Sequence, residues 1–300
     1  MSTFETALTV AVLGVRPGSG ATTLATLLWL NSPSSVSSLV SVGPGGISER
    51  FLKAADMREA EQQPLEGQVL ARITDSCLGC GSCVFLCRSG AIRRTVAVSG
   101  GKPSHTTPWH VDPLSCTGCG VCARFCPSAA ILLAQPTAGA LKTWLGRDSR
   151  MRAVTAIMEP GHEIGIRAAG RLIREGKTEG AQKPAARVLI TGVTIASPVA
   201  PIVCAESDLV ILAASPVPGS EECIGNAAQL ASDVCGRTLS VIMAADRHPE
   251  LADRMEAKFR THGIEPAGRI PYSAALHTDI RTGIAETSAA ANAILYFIYL

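Results

Sequence analysis

The chain has 300 residues, of which 47% are apolar and 17% charged, so it can bury a large core and is not a disordered chain. Its 27 Lys and Arg nearly balance its 25 Asp and Glu, which argues against a general nucleic-acid binder. The first residues lack the basic segment of a secretory signal, and no run reaches the roughly 18 apolar residues of a membrane-spanning helix. We therefore expect a cytoplasmic protein that binds neither nucleic acid nor a membrane.

The N-terminal segment predicts a strand, a glycine-rich loop and a helix. Residues 8–13 form a short apolar run rich in β-branched side chains, which is typical of a buried strand. The glycine-rich loop covers residues 15–20, and the helix is predicted over residues 21–30. This order begins many nucleotide-binding α/β units. A second strand is predicted over residues 38–42.

The same alternation of strands and helices returns after residue 136. Strands are predicted over residues 187–191, 208–214, 238–244 and 268–271, and helices over residues 161–175, 222–234, 249–261 and 286–298. Residues 293–300 are strongly apolar but include no Lys or Arg to meet lipid headgroups. We therefore expect a final helix that is docked on the core.

Eight of the eleven cysteines lie between these two α/β segments. They form two runs with the same spacing, Cys77-x2-Cys80-x2-Cys83-x3-Cys87 and Cys116-x2-Cys119-x2-Cys122-x3-Cys126. This spacing is typical of bacterial ferredoxins that carry two [4Fe-4S] clusters. The alternative, a pair of zinc sites, fits less well because zinc prefers four ligands in two paired knuckles.

In such ferredoxins each cluster takes three cysteines from one run and its fourth from the other. The predicted ligands are Cys77, Cys80, Cys83 and Cys126 for cluster I, and Cys116, Cys119, Cys122 and Cys87 for cluster II. Four glycines give the loops the freedom to wrap a cluster: Gly79, Gly81, Gly118 and Gly120. Arg88 follows Cys87 where proline is common, so we expect cluster II to be more exposed or to have a different reduction potential.

The segment 67–135 carries an excess of positive charge. Its cations are Arg72, Arg88, Arg93, Arg94, Lys102 and Arg124, and its acids are Asp75 and Asp112. Two interpretations stay open: the cations balance anionic clusters, or they dock on an acidic partner.

Together these features resemble one known family, the MinD/ParA-type P-loop ATPases, with an inserted two-cluster ferredoxin domain. The resemblance covers nearly all of the chain and rests on residues 8–30, 67–135, 158–161, 208–214 and 268–272. It implies an α/β fold, with a mostly parallel sheet flanked by helices and an inserted α+β ferredoxin-like domain. The implied domains are residues 1–66 and 136–300 for the P-loop part and 67–135 for the insertion.

The family's phosphate-binding loop has the form G-K-G-G-x-G-K-S/T-T, which aligns with residues 15–23 of this chain. Arg16 stands at the signature lysine and Ala21 at the phosphate-binding lysine, whereas Thr22 keeps the hydroxyl that binds magnesium. The candidate residues for a nucleotide or another anion are Arg16, Gly18, Ser19, Gly20, Ala21, Thr22 and Thr23.

Three further family positions are changed. The Asp-x-Asp after the second strand is replaced by residues 42–46, Val-Gly-Pro-Gly-Gly; the Asp-Gly of the third strand is Thr191-Gly192; and the later Asn-Lys pair is Ala244-Ala245. These losses argue against ATP and Mg²⁺ as cofactors and leave no candidate catalytic residue. Either the P-loop fold is a retired ATPase that serves as a scaffold, or its loop N–H groups still hold an anion beside Arg16.

Three cysteines lack ligand spacing, and we expect them to be small buried hydrophobic side chains: Cys204, Cys223 and Cys235. His105 and His110 flank Trp109 between the two cysteine runs. We expect a plain loop there, with orientation of a partner or proton transfer as the alternative.

The leading functional hypothesis is an electron carrier that passes one electron at a time between a donor and an acceptor enzyme. The alternative is an ATP-dependent reductase or metallocluster-assembly ATPase of the MinD and nitrogenase iron protein type, which a lysine at position 21 would favour. A third hypothesis is a non-redox adaptor with structural clusters. All three imply a partner protein, and the sequence leaves a homodimer open.

Overall fold

The computed structural model describes residues 8–32, 37–43, 47–94, 108–147, 151–159, 164–179, 183–184 and 187–299. These residues divide into two compact units. The body is the described part of residues 1–63, 140–158 and 164–300, and the insert is the described part of residues 64–139 and 159–163.

The secondary structure comprises fifteen strands and ten α-helices among the described residues. The strands are β1 (Leu8–Gly14), β2 (Ser37–Ser41), β3 (Arg58–Glu66), β4 (Leu70–Ile73), β5 (Ile92–Arg94), β6 (Trp109–Val111), β7 (Ile131–Ala134), β8 (Thr137–Leu145), β9 (Met151–Met158), β10 (Thr178–Glu179), β11 (Lys183–Pro184), β12 (Arg187–Thr191), β13 (Leu209–Ala214), β14 (Arg237–Met243) and β15 (Glu265–Ile270). The helices are α1 (Ala21–Leu30), α2 (Ile47–Ala54), α3 (Ser82–Leu86), α4 (Val121–Arg124), α5 (Ile166–Lys177), α6 (Ala200–Ala205), α7 (Ser220–Val234), α8 (Pro249–Thr261), α9 (Ala275–Thr278) and α10 (Ile280–Tyr299).

The body is built on a nine-stranded sheet in the order β15-β14-β13-β1-β12-β2-β9-β8-β3. From β15 to β9 every neighbouring pair of strands is parallel. Strands covered by helices on both faces must be apolar along their whole length, which is why β13 reads LVILAA and is fully buried. The predicted fold class, a mostly parallel sheet flanked by helices, is confirmed.

Helices α1 and α10 contact each other and share one buried core with the sheet. Leu24 and Trp29 of α1 are fully buried there, and Ile294 and Ile298 of α10 are at most 5% exposed. The apolar C-terminal segment is therefore docked on the core, as its composition predicts. None of the described helices is long and apolar enough to cross a bilayer.

Several elements differ from the sequence-based prediction. Strands β3, β8 and β9 are not predicted, and β3 shows why: it lies at the edge of the sheet, and its exposed, polar sequence REAEQQPLE has no apolar period. Helix α10 begins at Ile280 rather than at residue 286, because its first turns are less apolar than its end. Helix α5 begins at Ile166 after an extended Gly165, and Gly161 lies outside the described residues.

Cys204 and Cys235 form a disulfide, with their Cα atoms 5.0 Å apart. The prediction that each is an isolated hydrophobic side chain is wrong for this pair. Cys204 lies in α6 and Cys235 caps α7, and because these two helices contact each other the fold joins residues that are 31 positions apart. Cys223 is a free, half-buried thiol whose Sγ donates to the carbonyl oxygen of Gly219 at 3.3 Å.

Two glycines let the ends of β2 and β12 meet backbone to backbone. The amide of Val42 donates to the carbonyl oxygen of Thr191 at 2.7 Å. One residue further on, a Cβ at Gly43 would overlap the carbonyl oxygen of Gly192, and a Cβ at Gly192 would overlap the amide nitrogen of Gly43. The contact therefore excludes any side chain at either position.

Gly43→Ala should destabilise the protein, because the added Cβ forces the two strand ends apart. We expect a loss of about 1–3 kcal/mol of unfolding free energy, the usual cost of overpacking. Gly236→Ala is the matched control: nothing lies within 4 Å of the Cβ it adds, and surface changes of this kind stay within about 0.5 kcal/mol. Anaerobic urea unfolding followed by circular dichroism measures both values. Equal midpoints for the two variants would contradict the contact.

Candidate functional site

Each cysteine run of the insert forms a loop that leads into a short helix. Gly81 caps the start of α3 with φ 77° and ψ 0°, and Gly120 caps α4 with φ 76° and ψ −2°. Two residues earlier, Gly79 and Gly118 have φ values of 73° and 66°. Because this left-handed region strongly favours glycine, the repeated glycines give both runs the same backbone path.

Backbone amides donate hydrogen bonds to two of the sulfurs. The N–H of Gly79 reaches Cys77 Sγ at 3.4 Å, and the N–H of Ala130 reaches Cys126 Sγ at 3.3 Å. Donors of this kind stabilise a thiolate relative to a thiol and orient it as a metal ligand.

Three serines each lie two positions after a cysteine, at Sγ–Oγ distances of 3.5–3.6 Å: Cys80 with Ser82, Cys87 with Ser89 and Cys126 with Ser128. The hydroxyl beside it lowers the pKa of Cys80, and likewise that of Cys126. Burial opposes the effect at Cys87, but the Ser89 hydroxyl and nearby backbone amides still leave the pKa of Cys87 lowered. Our sequence analysis missed these serines, although the repeated Cys-x-Ser pattern was a usable signal.

Burial acts in the opposite direction on the third cysteine of each run. It raises the pKa of the Cys83 thiol, and in the same way that of Cys122. A buried thiol becomes a stable thiolate when a metal binds it, because the coordinating ion removes the proton. These two sulfurs therefore fit metal ligands better than free thiolates.

In the insert, each strand that flanks the first cysteine run pairs with a strand that flanks the second run. Strand β4, which precedes the first cysteine run, pairs antiparallel with β7, which follows the second run. Strand β5, which follows the first run, pairs antiparallel with β6, which precedes the second. Each hairpin-like pair therefore joins the entry to one ligand loop with the exit from the other.

Hydrogen bonds at the edges of the loops repeat this crossing. Both the amide and the hydroxyl of Thr74, just before the first run, donate to the carbonyl oxygen of Ala130, at 2.8 and 3.1 Å. The amide of Asp112, just before the second run, donates to the carbonyl oxygen of Ala91 at 2.8 Å. Ala130 and Ala91 each lie four positions after the last cysteine of a run. The segment that follows the fourth cysteine of each run is therefore hydrogen-bonded to the start of the other loop.

Electrostatic neighbours link the two runs. Cys126 lies close enough to Cys80 for its charge to raise the Cys80 pKa. The charges of Cys77 and Cys80 from its own run, and of Cys122 from the other run, raise the pKa of Cys83. In the second run, the charges of Cys116 and Cys119 act on the third cysteine, Cys122.

The donor set of the two loops is one that iron–sulfur clusters take. All eight cysteines of the runs are free, and [4Fe-4S] clusters are held by Cys thiolates at this repeated spacing. Backbone N–H groups of Gly79 and Ala130 face two of the sulfurs, which is how a protein orients cluster ligands. The residues therefore fit iron–sulfur clusters.

Trp109 holds the first ligand loop from outside. Its indole Nε1 donates to the carbonyl oxygen of Gly79 at 3.3 Å, and its ring lies 3.3 Å from the position a Cβ would take at Gly81. Trp109 and His110 belong to strand β6, so the expectation of a plain loop is wrong here, because pairing with β5 orders the segment. His105 and Lys102 lie outside the described residues.

In the body, the glycine-rich loop joins β1 to α1. Gly20 caps α1 with φ 84°, and no side-chain hydrogen bond caps the helix start. Arg16, the cation of the loop, donates from Nη1 to the carbonyl oxygen of Pro218 at 3.0 Å. Ala21 is buried, and Met243 packs so that a Cβ on Gly20 would lie 3.0 Å from its Cγ. The remaining predicted loop residues, Gly18, Ser19, Thr22 and Thr23, lie together with no cation among them.

Residues 76–130 match the family model of the 4Fe-4S dicluster domain. The insert is a 4Fe-4S ferredoxin-type domain. Comparison with curated proteins finds no match to the sequence.

Solved structures resemble the whole chain in fold. The MinD cell division protein of Aquifex aeolicus matches with a TM-score of 0.54 at 10% identity, over 98% of this chain and 97% of that one. The MinC:MinD complex from the same organism gives 0.53 at 12% identity over 98% and 96%. A putative plasmid partition protein of Borrelia burgdorferi B31 bound to AMPPNP gives 0.51 at 9% identity over 98% of both chains. The predicted MinD/ParA fold is confirmed for the body.

Cys126→Ser should damage the cluster of the first run, although Cys126 belongs to the second run in sequence. The reason is the pairing of β4 with β7, which holds the segment after Cys126 beside the first run, and Cys126 lies within electrostatic range of Cys80. Low-temperature EPR of the reduced protein should therefore give Cys126→Ser the same altered signal as Cys80→Ser. Cys119→Ser, the exposed equivalent of Cys80 in the second run, is the control and should alter the other signal. A Cys126→Ser spectrum that matches Cys119→Ser would overturn the ligand assignment.

Proposed function

We propose that this protein is an iron–sulfur electron carrier with two [4Fe-4S] clusters in its ferredoxin-type domain, residues 67–135, on a MinD/ParA-fold body that does not hydrolyse ATP. The observation that carries the proposal is the duplicated ligand loop joined by crossed strand pairing. The proposed ligands are Cys77, Cys80, Cys83 and Cys126 for cluster I and Cys116, Cys119, Cys122 and Cys87 for cluster II. When bound, a [4Fe-4S] cluster accepts and releases one electron at a time.

The role of the chain's own residues is to hold the ligand sulfurs in fixed positions. The N–H groups of Gly79 and Ala130 and the nearby serine hydroxyls stabilise the thiolates. The crossed strand pairs keep the two loops side by side, so that little rearrangement accompanies a change of charge. In the proposed reaction a donor protein loses one electron and an acceptor protein gains it, and no covalent bond forms or breaks.

The residues of the body favour the role of a scaffold over that of an ATPase. Ala21 supplies no ammonium to a phosphate, and the guanidinium of Arg16 is bound at Pro218. Thr191 stands where the resemblance places a carboxylate of the family, and Gly43 lies in the segment that replaces the family's Asp-x-Asp, so neither position carries a negative charge. Hydrolysis needs these groups to bind magnesium and orient water, so we propose that the body positions partners instead.

Metal analysis tests the number of clusters. Anaerobically purified, reconstituted protein should contain about eight iron and eight acid-labile sulfide per chain, because two cubanes of four iron each fill the eight ligands. Stepwise reduction followed by EPR should give a reversible signal from both clusters. About four iron per chain, or stoichiometric zinc, would contradict the two-cluster proposal. A full complement of iron with no reversible reduction would favour the structural adaptor.

ATP hydrolysis should stay at background in the oxidised and the reduced protein, because the loop has neither the phosphate lysine nor the carboxylates that position water. Ala21→Lys alone should not restore turnover, although it should strengthen nucleotide binding through the new ammonium. A steady-state phosphate-release assay and calorimetry with Mg-ATP measure the two effects. Magnesium-dependent turnover in the wild type that Thr22→Ala abolishes would establish the ATP-dependent reductase instead.

A further inference from the structure

The ferredoxin-type domain exposes large apolar side chains around its cysteine runs. Phe85 is 92% exposed, Leu114 82%, Leu78 75% and Phe125 60%. Such side chains normally lie inside a protein, and a cluster of them on a surface marks a site of interaction. Aromatic anchors of this kind carry much of the binding energy at protein interfaces.

These side chains lie next to the proposed ligands in sequence. Six exposed apolar residues lie within two positions of a ligand cysteine: Leu78, Phe85, Leu86, Leu114, Val121 and Phe125. Four of the six lie in α3, in α4 or directly after α4, and these two helices contact each other. We call the six residues together the apolar rim. A protein that covered the apolar rim would bring its own redox centre close to the ligand sulfurs.

Three charged residues lie within two positions of a ligand cysteine, and all three are exposed: Arg88, Arg124 and Asp75. Neither arginine makes an ion pair with a described residue, whereas the more distant Arg93 has Asp112 at 3.9 Å. The two arginines outnumber the aspartate, so the side-chain charge beside the apolar rim, as distinct from the charge of the anionic clusters, favours a partner of opposite sign.

We propose that the apolar rim, with Arg88 and Arg124, is the docking surface for an acidic redox protein that exchanges electrons with the clusters. Apolar contact at Phe85 and Leu78 would hold the complex, and the two arginines would steer carboxylates of the partner to the rim. The inference rests on the proposed electron-carrier function. One electron leaves the reduced protein and enters the partner's redox centre, without any bond being made.

The test uses two haem proteins of opposite charge as electron acceptors. The 300-residue chain with its clusters, reduced at an electrode, is mixed in a stopped-flow instrument with acidic cytochrome b5 or with basic cytochrome c. The salt dependence of each rate is compared, because the two haems differ in driving force. The rate with cytochrome b5 should fall about tenfold or more as salt is raised from low to high ionic strength. The rate with cytochrome c should rise or stay level. A fall of equal size with both acceptors, or with neither, would overturn the proposed charge preference.

Two comparisons locate the surface: two apolar variants against one control, and one charge variant against another. Leu78→Ser and Phe85→Ser should each slow cytochrome b5 reduction about tenfold at high salt, as loss of an interface anchor does. Leu132→Ser removes an exposed leucine on β7, outside the apolar rim, and should change the rate less than twofold. Arg88→Glu should reduce the salt dependence strongly, whereas Arg72→Glu makes the same charge change on β4 and should have little effect. Midpoint potentials of each variant correct the rates for driving force. Equal effects of test and control variants in either comparison would overturn the location.

A small neutral oxidant separates the two proposals. Benzoquinone needs no docking surface, so its reduction by the protein reports electron transfer alone. If benzoquinone is not reduced, the electron-carrier proposal fails. If it is reduced at the same rate by all variants while the cytochrome rates show no charge preference, only the docking surface fails.

Discussion

The ferredoxin-type domain depends on one constraint: each strand before a ligand loop is hydrogen-bonded to the strand after the other loop. Neither half can fold alone around four sulfurs, because β4 needs β7 and β5 needs β6. The Thr74–Ala130 and Asp112–Ala91 hydrogen bonds repeat the constraint next to the cysteines themselves. Two short loops with little core of their own thereby acquire fixed relative positions. A small domain gains further stability when metal binding fills such a site.

The sequence could predict some parts of the site but not others. Cysteine spacing identifies the ligands because a cubane needs three closely spaced thiolates, and the helix-capping glycines repeat at the same offsets. The serines beside Cys80, Cys87 and Cys126 are not predicted, because their repeated spacing is visible in the sequence but does not by itself show that the hydroxyl contacts the sulfur. The Cys204–Cys235 disulfide escapes for a different reason, since only the contact of α6 with α7 brings together cysteines so far apart in sequence.

In the body, the pattern of apolar residues predicts the buried strands of the sheet but does not predict the exposed edge strand. Strands such as β13 are covered on both faces and are therefore apolar throughout. Edge strand β3 has exposed, charged side chains on both faces, so hydrogen bonding within the sheet determines it rather than side-chain pattern. Helix boundaries shift for a similar reason: the first turns of α10 are held by tertiary contacts with α9.

The body and the ferredoxin-type domain use glycine for opposite purposes. In the ligand loops, left-handed glycines open the backbone so that N–H groups can face sulfur. At Gly43 and Gly192 the absence of side chains instead closes the ends of β2 and β12 against each other. A carboxylate placed at Gly43, in the segment that replaces the family's Asp-x-Asp, would have to part these strands before it could bind magnesium. The loss of the phosphate lysine is therefore one part of a wider change, in which the strand ends beside the glycine-rich loop are packed together rather than lined with charged groups.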